Sequence, residues 1–106
     1  DNREWYSVPY VNDALVINLG DMMARWTNDR WASTMHRVVM PSDSSMQRRY
    51  SMAYFVNVDG DTVVTPLDTC INDEGEDREA VLQKYPPTTA REHLMAKHLA
   101  SMGESI

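Results

Sequence analysis

Hydrophobic and polar positions follow two regimes along the chain. From Trp5 to about Val64, short apolar or alternating runs are punctuated by turn residues, the pattern of an antiparallel sheet. The runs predict strands over residues 5–8, ended by Pro9, over 14–19, stopped by Gly20-Asp21, over 32–39, before Pro41, and over 48–58, the longest. Asp21 is expected to cap a short turn running to Trp26, and Thr27-Asn28-Asp29 reads as a further turn. Asp59-Gly60-Asp61 is a hairpin signal leading into a strand over 62–65. After Pro66 the period changes to that of helices. One helix is expected over 79–84, ended by Tyr85-Pro86-Pro87, because the residue before a proline is biased away from α. A second starts at Thr89, where Thr89 and Glu92 form a capping-box pair ahead of the stripe Met95, Leu99, Met102, and Gly103 stops it. The expected organisation is mainly β: a sheet portion over 1–66 and a helical C-terminal extension over 67–106 packed on the same domain.

Length and charge narrow the function classes. A chain of 106 residues closes one core, not two. Sixteen acidic against ten basic residues give a formal charge of -6, so nucleic acid or an anionic membrane surface would be repelled overall. Each apolar run falls far short of the roughly 20 residues of a membrane-spanning helix. Cys70 is the single cysteine and forms no internal disulfide, which points to a reducing compartment and makes a cytoplasmic location the expectation. The chain opens Asp1-Asn2-Arg3-Glu4 without an initiating Met, and is expected to be cut from a longer protein.

Candidate chemistry rests on few residues. His93 and His98 stand five apart on the predicted terminal helix, about 140° around its axis from each other, which is poor spacing for a shared metal. His36 lies inside a predicted strand with Ala32, Thr34 and Val38 on its face; it reads either as a ligand or as a hydrogen-bonded structural histidine. On the strand over 48–58, alternation puts Arg49, Ser51, Ala53 and Phe55 on one face and Arg48, Tyr50, Met52, Tyr54 and Val56 on the other. If the first face is interior, a guanidinium and a hydroxyl stand about 6.6 Å apart on one wall, able to grip a carboxylate. If it is not, either Arg49 points to solvent and Arg48 inward, or both arginines are surface charges on an edge strand.

Three segments together carry a resemblance: Gly20-Asp21-Met22-Met23-Ala24-Arg25-Trp26-Thr27-Asn28, then Ser33-Thr34-Met35-His36-Arg37-Val38, then residues 48–57 beginning Arg48-Arg49-Tyr50-Ser51. Their order and spacing resemble the C-terminal half of the catalytic core in the iron(II)- and 2-oxoglutarate-dependent oxygenases of the isopenicillin N synthase-like branch. The resemblance runs from about Trp5 through Leu99 and implies a partial double-stranded β-helix, or jelly-roll. It implies His36 as the distal iron ligand, and Arg49 with Ser51 as the seat of the far carboxylate of 2-oxoglutarate. Iron(II) and 2-oxoglutarate are then the implied cofactor and cosubstrate, with ascorbate a further candidate. Oxidation of a small organic substrate, with succinate and carbon dioxide as co-products, is the implied reaction. Val38 and Phe55 share parity with the site residues and are candidates for lining the cavity, or plain core.

The chain departs from the family in one respect: none of its three histidines is followed two residues later by Asp or Glu, so the His-x-Asp that supplies the first iron ligands is missing. The chain alone is therefore expected to hold iron weakly and not to turn over. Half a jelly-roll also leaves sheet edges uncovered, so the remainder of a parent oxygenase or a second copy is the expected partner. The alternative is a non-catalytic jelly-roll binding or dimerisation module without iron.

Overall fold

The computed structural model describes residues 4–40, 48, 50–72, 75 and 77–103, Asn72 by its backbone only. Among them stand α1 (Asp21–Trp26), β1 (Val63–Val64), α2 (Asp68–Asn72), α3 (Arg78–Lys84), β2 (Thr88–Thr89) and α4 (Ala90–Ser101). The two strands pair antiparallel, Val63 opposite Thr89 and Val64 opposite Thr88.

Local sequence explains where the helices begin and end. Asp77 caps α3, its carboxylate accepting from Glu79 N at 3.3 Å, and α3 stops at Lys84 before Tyr85 and the two prolines. Thr89 caps α4 in the expected capping box: Thr89 Oγ1 accepts from Glu92 N at 3.2 Å, and Glu92 Oε2 accepts from Thr89 N at 3.0 Å. Two more N–H groups at the start of α4 find backbone carbonyls, Ala90 N at Thr62 O (2.9 Å) and Arg91 N at Gly60 O (3.0 Å). Gly103 takes the left-handed conformation (φ 67°) just beyond the helix end. In α1 the N-cap is Gly20 rather than Asp21, which sits in the first turn, where its charge favours the helix dipole. The turn after α1 is real: Asn28 and Asp29 both have positive φ, 50° and 61°.

The 59–62 turn also forms, with Thr62 N bonded to Asp59 O at 2.9 Å, but it does not make the expected hairpin. The strand that follows it pairs with residues 88–89 of the helical extension instead of folding back on 48–58. The expected strands over 5–8, 14–19 and 32–39 carry no strand assignment, nor do the described residues of 48–58. The mainly β architecture is thus not what the described residues display. A strand is defined by its partner, and the four-residue ladder of β1 and β2 is the pairing that these residues hold.

The buried apolar residues follow the same division. Val64 and Ala90 are fully buried, Ile71 nearly so, and Ala24, Cys70 and Val81 complete a core built by α1, β1, α2, α3 and α4. Along 4–20 and 29–57, large side chains such as Leu15 and Tyr54 stay exposed. A radius of gyration of 17.6 Å against about 13 Å for a compact chain of this length reflects those uncovered segments. The α4 stripe of Met95, Leu99 and Met102 is exposed as well. Among the described residues no helix is long and apolar enough to cross a membrane.

Candidate functional site

His36 is exposed, and its ring is held by one bond: Nδ1 lies 3.0 Å from Thr34 O. A carbonyl only accepts, so in the neutral ring this contact favours the tautomer with the proton on Nδ1, which leaves the Nε2 lone pair for a metal. The next residue, Arg37, stacks its guanidinium 4.1 Å from the ring centre of Trp5. The imidazole therefore suits the ligand role. A complete iron site is another matter: among the described residues no group of three or more His, Cys, Asp or Glu is placed to hold a metal ion. Ser51 is exposed, as are Arg48 and Tyr50, and Arg49 lies outside the described residues. Val38 and Phe55, candidates for lining the cavity, are 73% and 78% exposed, so neither lines a closed one here.

The structure does gather charged groups elsewhere, between α1 with its turn and the helices α3 and α4. Asp29 receives two donors from the end of α3, Lys84 Nζ at 2.5 Å and Tyr85 Oη at 2.6 Å. Arg25 lies over the Tyr85 ring, 5.3 Å to its centre, and donates through Nη2 to Pro86 O, while Lys97 pairs with Asp21. Of these, Asp21, Arg25, Asp29 and Tyr85 border a cleft of about 440 Å3 that Ala24, Ala32, Ser33 and His93 complete. Partial burial tends to raise the Asp29 carboxyl, but the hydrogen bonds of Lys84 and Tyr85 and the Lys84 charge outweigh it and hold the group below its ordinary value of 3.8. The Tyr85 hydroxyl is pushed up from 10.0 by burial and by the Asp29 bond and charge. Burial, aided by the Arg25 charge, lowers His93 from 6.5 and favours the neutral ring. His98 is exposed on the last turn of α4, apart from this cluster. Sequence reading passed over Arg25, Asp29, Lys84 and Tyr85. The partners in this cluster stand 55 and more positions apart, and pattern within a window does not see such pairs.

Comparison with known proteins places the chain in a family. The 2OG-Fe(II) oxygenase superfamily matches residues 1–58, more than half of the chain. The chain belongs to that superfamily. It is similar to a 1-aminocyclopropane-1-carboxylate oxidase of Persea americana, 39% identical over 82 residues, 77% of this chain and 25% of the relative. A validamycin A dioxygenase of Streptomyces hygroscopicus subsp. limoneus is 42% identical over 64 residues, 59% of this chain and 18% of that protein. A 2-oxoglutarate-Fe(II) type oxidoreductase of Emericella nidulans is 35% identical over 102 residues, 96% of this chain and 27% of that protein. The chain thus spans about a quarter or less of the length of these relatives. No solved structure matches it. Iron(II) and 2-oxoglutarate are the cofactor and cosubstrate that this superfamily implies.

Proposed function

We propose that this chain is the part of an iron(II)/2-oxoglutarate-dependent oxygenase that supplies the distal iron ligand, His36, and the carboxylate seat, Arg49 with Ser51. The observation that carries the reading is that the span matched by the superfamily, residues 1–58, includes all three residues in the order His, Arg, Ser. The Nδ1 contact of His36 supports it, because the tautomer it favours leaves Nε2 as the donor. Iron, held by such ligands, would let dioxygen take two electrons from 2-oxoglutarate, giving succinate and carbon dioxide, and two from a small organic substrate.

In this reading residues 1–66 are one wall of a jelly-roll and residues 67–106 a helical extension that braces it. The remaining iron ligands and the strands that cover the exposed apolar residues come from the rest of an oxygenase or from a second copy. Arg49 would hold the distal charge of the cosubstrate in a site dried by those strands, and Ser51 would add a directional hydrogen bond. Anaerobic titration of the complete protein with iron(II) and 2-oxoglutarate, followed by the weak visible charge-transfer band, tests this. The band is expected in the parent protein and in Arg48→Ala, and at much higher 2-oxoglutarate in Arg49→Ala. A parent protein without the band, or a jelly-roll module that forms a stable dimer indifferent to both ligands, refutes the reading.

A further inference from the structure

We propose that Asp29 is a positioning residue for His36, set by the clamp that Lys84 and Tyr85 close on it from the end of α3. The inference rests on the reading of His36 as an iron ligand and assigns the helical extension a part in that site.

The physical route is continuous. Asn28 and Asp29 make the turn after α1 with left-handed backbone, at φ 50° and 61°, a conformation that Asn and Asp tolerate better than most non-glycine residues. Its backbone is pinned by Asp29 N to Ala24 O at 2.8 Å, Arg30 N to Thr27 O at 3.0 Å and Trp31 N to Thr27 Oγ1 at 3.0 Å, with Thr27 and Asn28 buried. The Asp29 carboxylate, at the apex, is tied by both oxygens to residues 55 and 56 positions away. From the turn the chain runs through Ala32 and Ser33, which border the same cleft as Asp29 and Tyr85. The next residue is Thr34, whose carbonyl fixes the His36 ring. In this proposal the direction in which the chain leaves the clamp carries through Ala32 and Ser33 to the Thr34 carbonyl and so to the His36 ring.

The cleft itself is less suited to a ligand. Its charged groups are already engaged: Asp29 with Lys84 and Tyr85, Asp21 with Lys97, and Arg25 with Pro86 O. Groups that satisfy one another in this way fix geometry.

The test uses the complete oxygenase carrying this chain, with Asp29→Asn, Tyr85→Phe and the conservative Lys84→Arg. Iron(II) affinity is read anaerobically from the visible band at saturating 2-oxoglutarate, cosubstrate affinity at saturating iron, and local order from amide hydrogen exchange over residues 30–36. Loss of an outer partner weakens metal binding about tenfold or more. Asp29→Asn and Tyr85→Phe are expected to weaken iron by about that factor, to change 2-oxoglutarate affinity by less than about twofold, and to speed exchange over 30–36. Lys84→Arg retains a donor and is expected to stay at the parental values. Tyr85→Phe, which removes one hydroxyl, decides the matter if Asp29→Asn does not fold. Parental iron affinity in both variants, with only a lowered melting point, overturns the role and leaves the oxygenase reading intact. A parent protein without the band removes the ligand reading of His36, and this role with it.

Discussion

Asp29 and His93 sit on one cleft and make opposite use of charge, and each leaves a signature in pH. The Asp29 carboxyl titrates below its ordinary 3.8 because Lys84 and Tyr85 favour the ionised form over the burial that opposes it. A lowered folded-state pKa means that its stabilisation is complete above the unfolded value and is lost as pH falls through the folded one. The melting temperature is thus expected to drop as pH falls below about 4, and to drop less steeply in Asp29→Asn, measured by circular dichroism from pH 7 to pH 2. Lys84 and Asp29 are both well exposed, so the effect is a small one. His93 is lowered from 6.5 by burial first and by the Arg25 charge second. Its contribution is complete above 6.5 and declines as pH falls from there towards the folded-state value. Proton NMR titration of the His93 ring is expected to give a midpoint below 6.5, and Arg25→Met is expected to move it back towards that value. At this scale the sequence puts forward His36, Arg49 and Ser51 as candidates, because each stands in a short ordered motif. It did not disclose the clamp, since neither Asp29 in a turn nor Tyr85 before two prolines signals a partner across 56 positions.

Elements were legible where their causes are local. The ends of α3 and α4 follow from Asp77, the prolines after Tyr85, the Thr89–Glu92 box and Gly103, all within a turn of the boundary they set. Thr89→Ala removes the acceptor for Glu92 N and is expected to cost about 1 kcal/mol, read as a lower thermal midpoint and reduced helical circular dichroism. Thr89→Ser keeps the hydroxyl and is expected to recover most of the loss. The short α2 escaped notice because the acidic run that follows it obscures the amphipathic period, although its Cys70 and Ile71 reach the core. Strands fared worst, for a reason that belongs to strands. The alternation over 5–19 and 32–58 records which residues suit a sheet, while the ladder itself depends on partners far along the chain. The 59–62 turn shows the difference: its turn chemistry was readable, but the partner chosen by β1 is Thr88–Thr89, which no turn residue announces.

At the scale of the molecule, one small core supports one long uncovered surface. Six buried apolar residues between Ala24 and Ala90 hold the helical part together. Truncating the nearly fully buried Ile71 to Ala removes about 2–5 kcal/mol, a large share of a domain's usual margin of about 5–15 kcal/mol, and is expected to abolish cooperative melting. Among the described residues, 4–20 and 30–57 contribute nothing to that core, with Leu15, Ile17, Met52 and Tyr54 each more than four-fifths exposed. Apolar residues in such alternation suit burial on one face of a sheet, and the chain covers only about a quarter of the length of two of its relatives. The 106-residue chain alone is therefore expected to show two classes of amide in hydrogen exchange. Amides bonded inside the chain, from α1 through its turn, across β1 and β2 and along α3 and α4, are expected to exchange slowly. The described residues over 5–19, 37–40 and 50–57 are expected to exchange close to the rate of an unstructured chain. Slow exchange over the second group in a monomer would mean that these segments pair without help, and would show that the sheet needs no covering partner. Slow exchange that appears only at concentrations where sedimentation detects a dimer would identify a second copy as the cover.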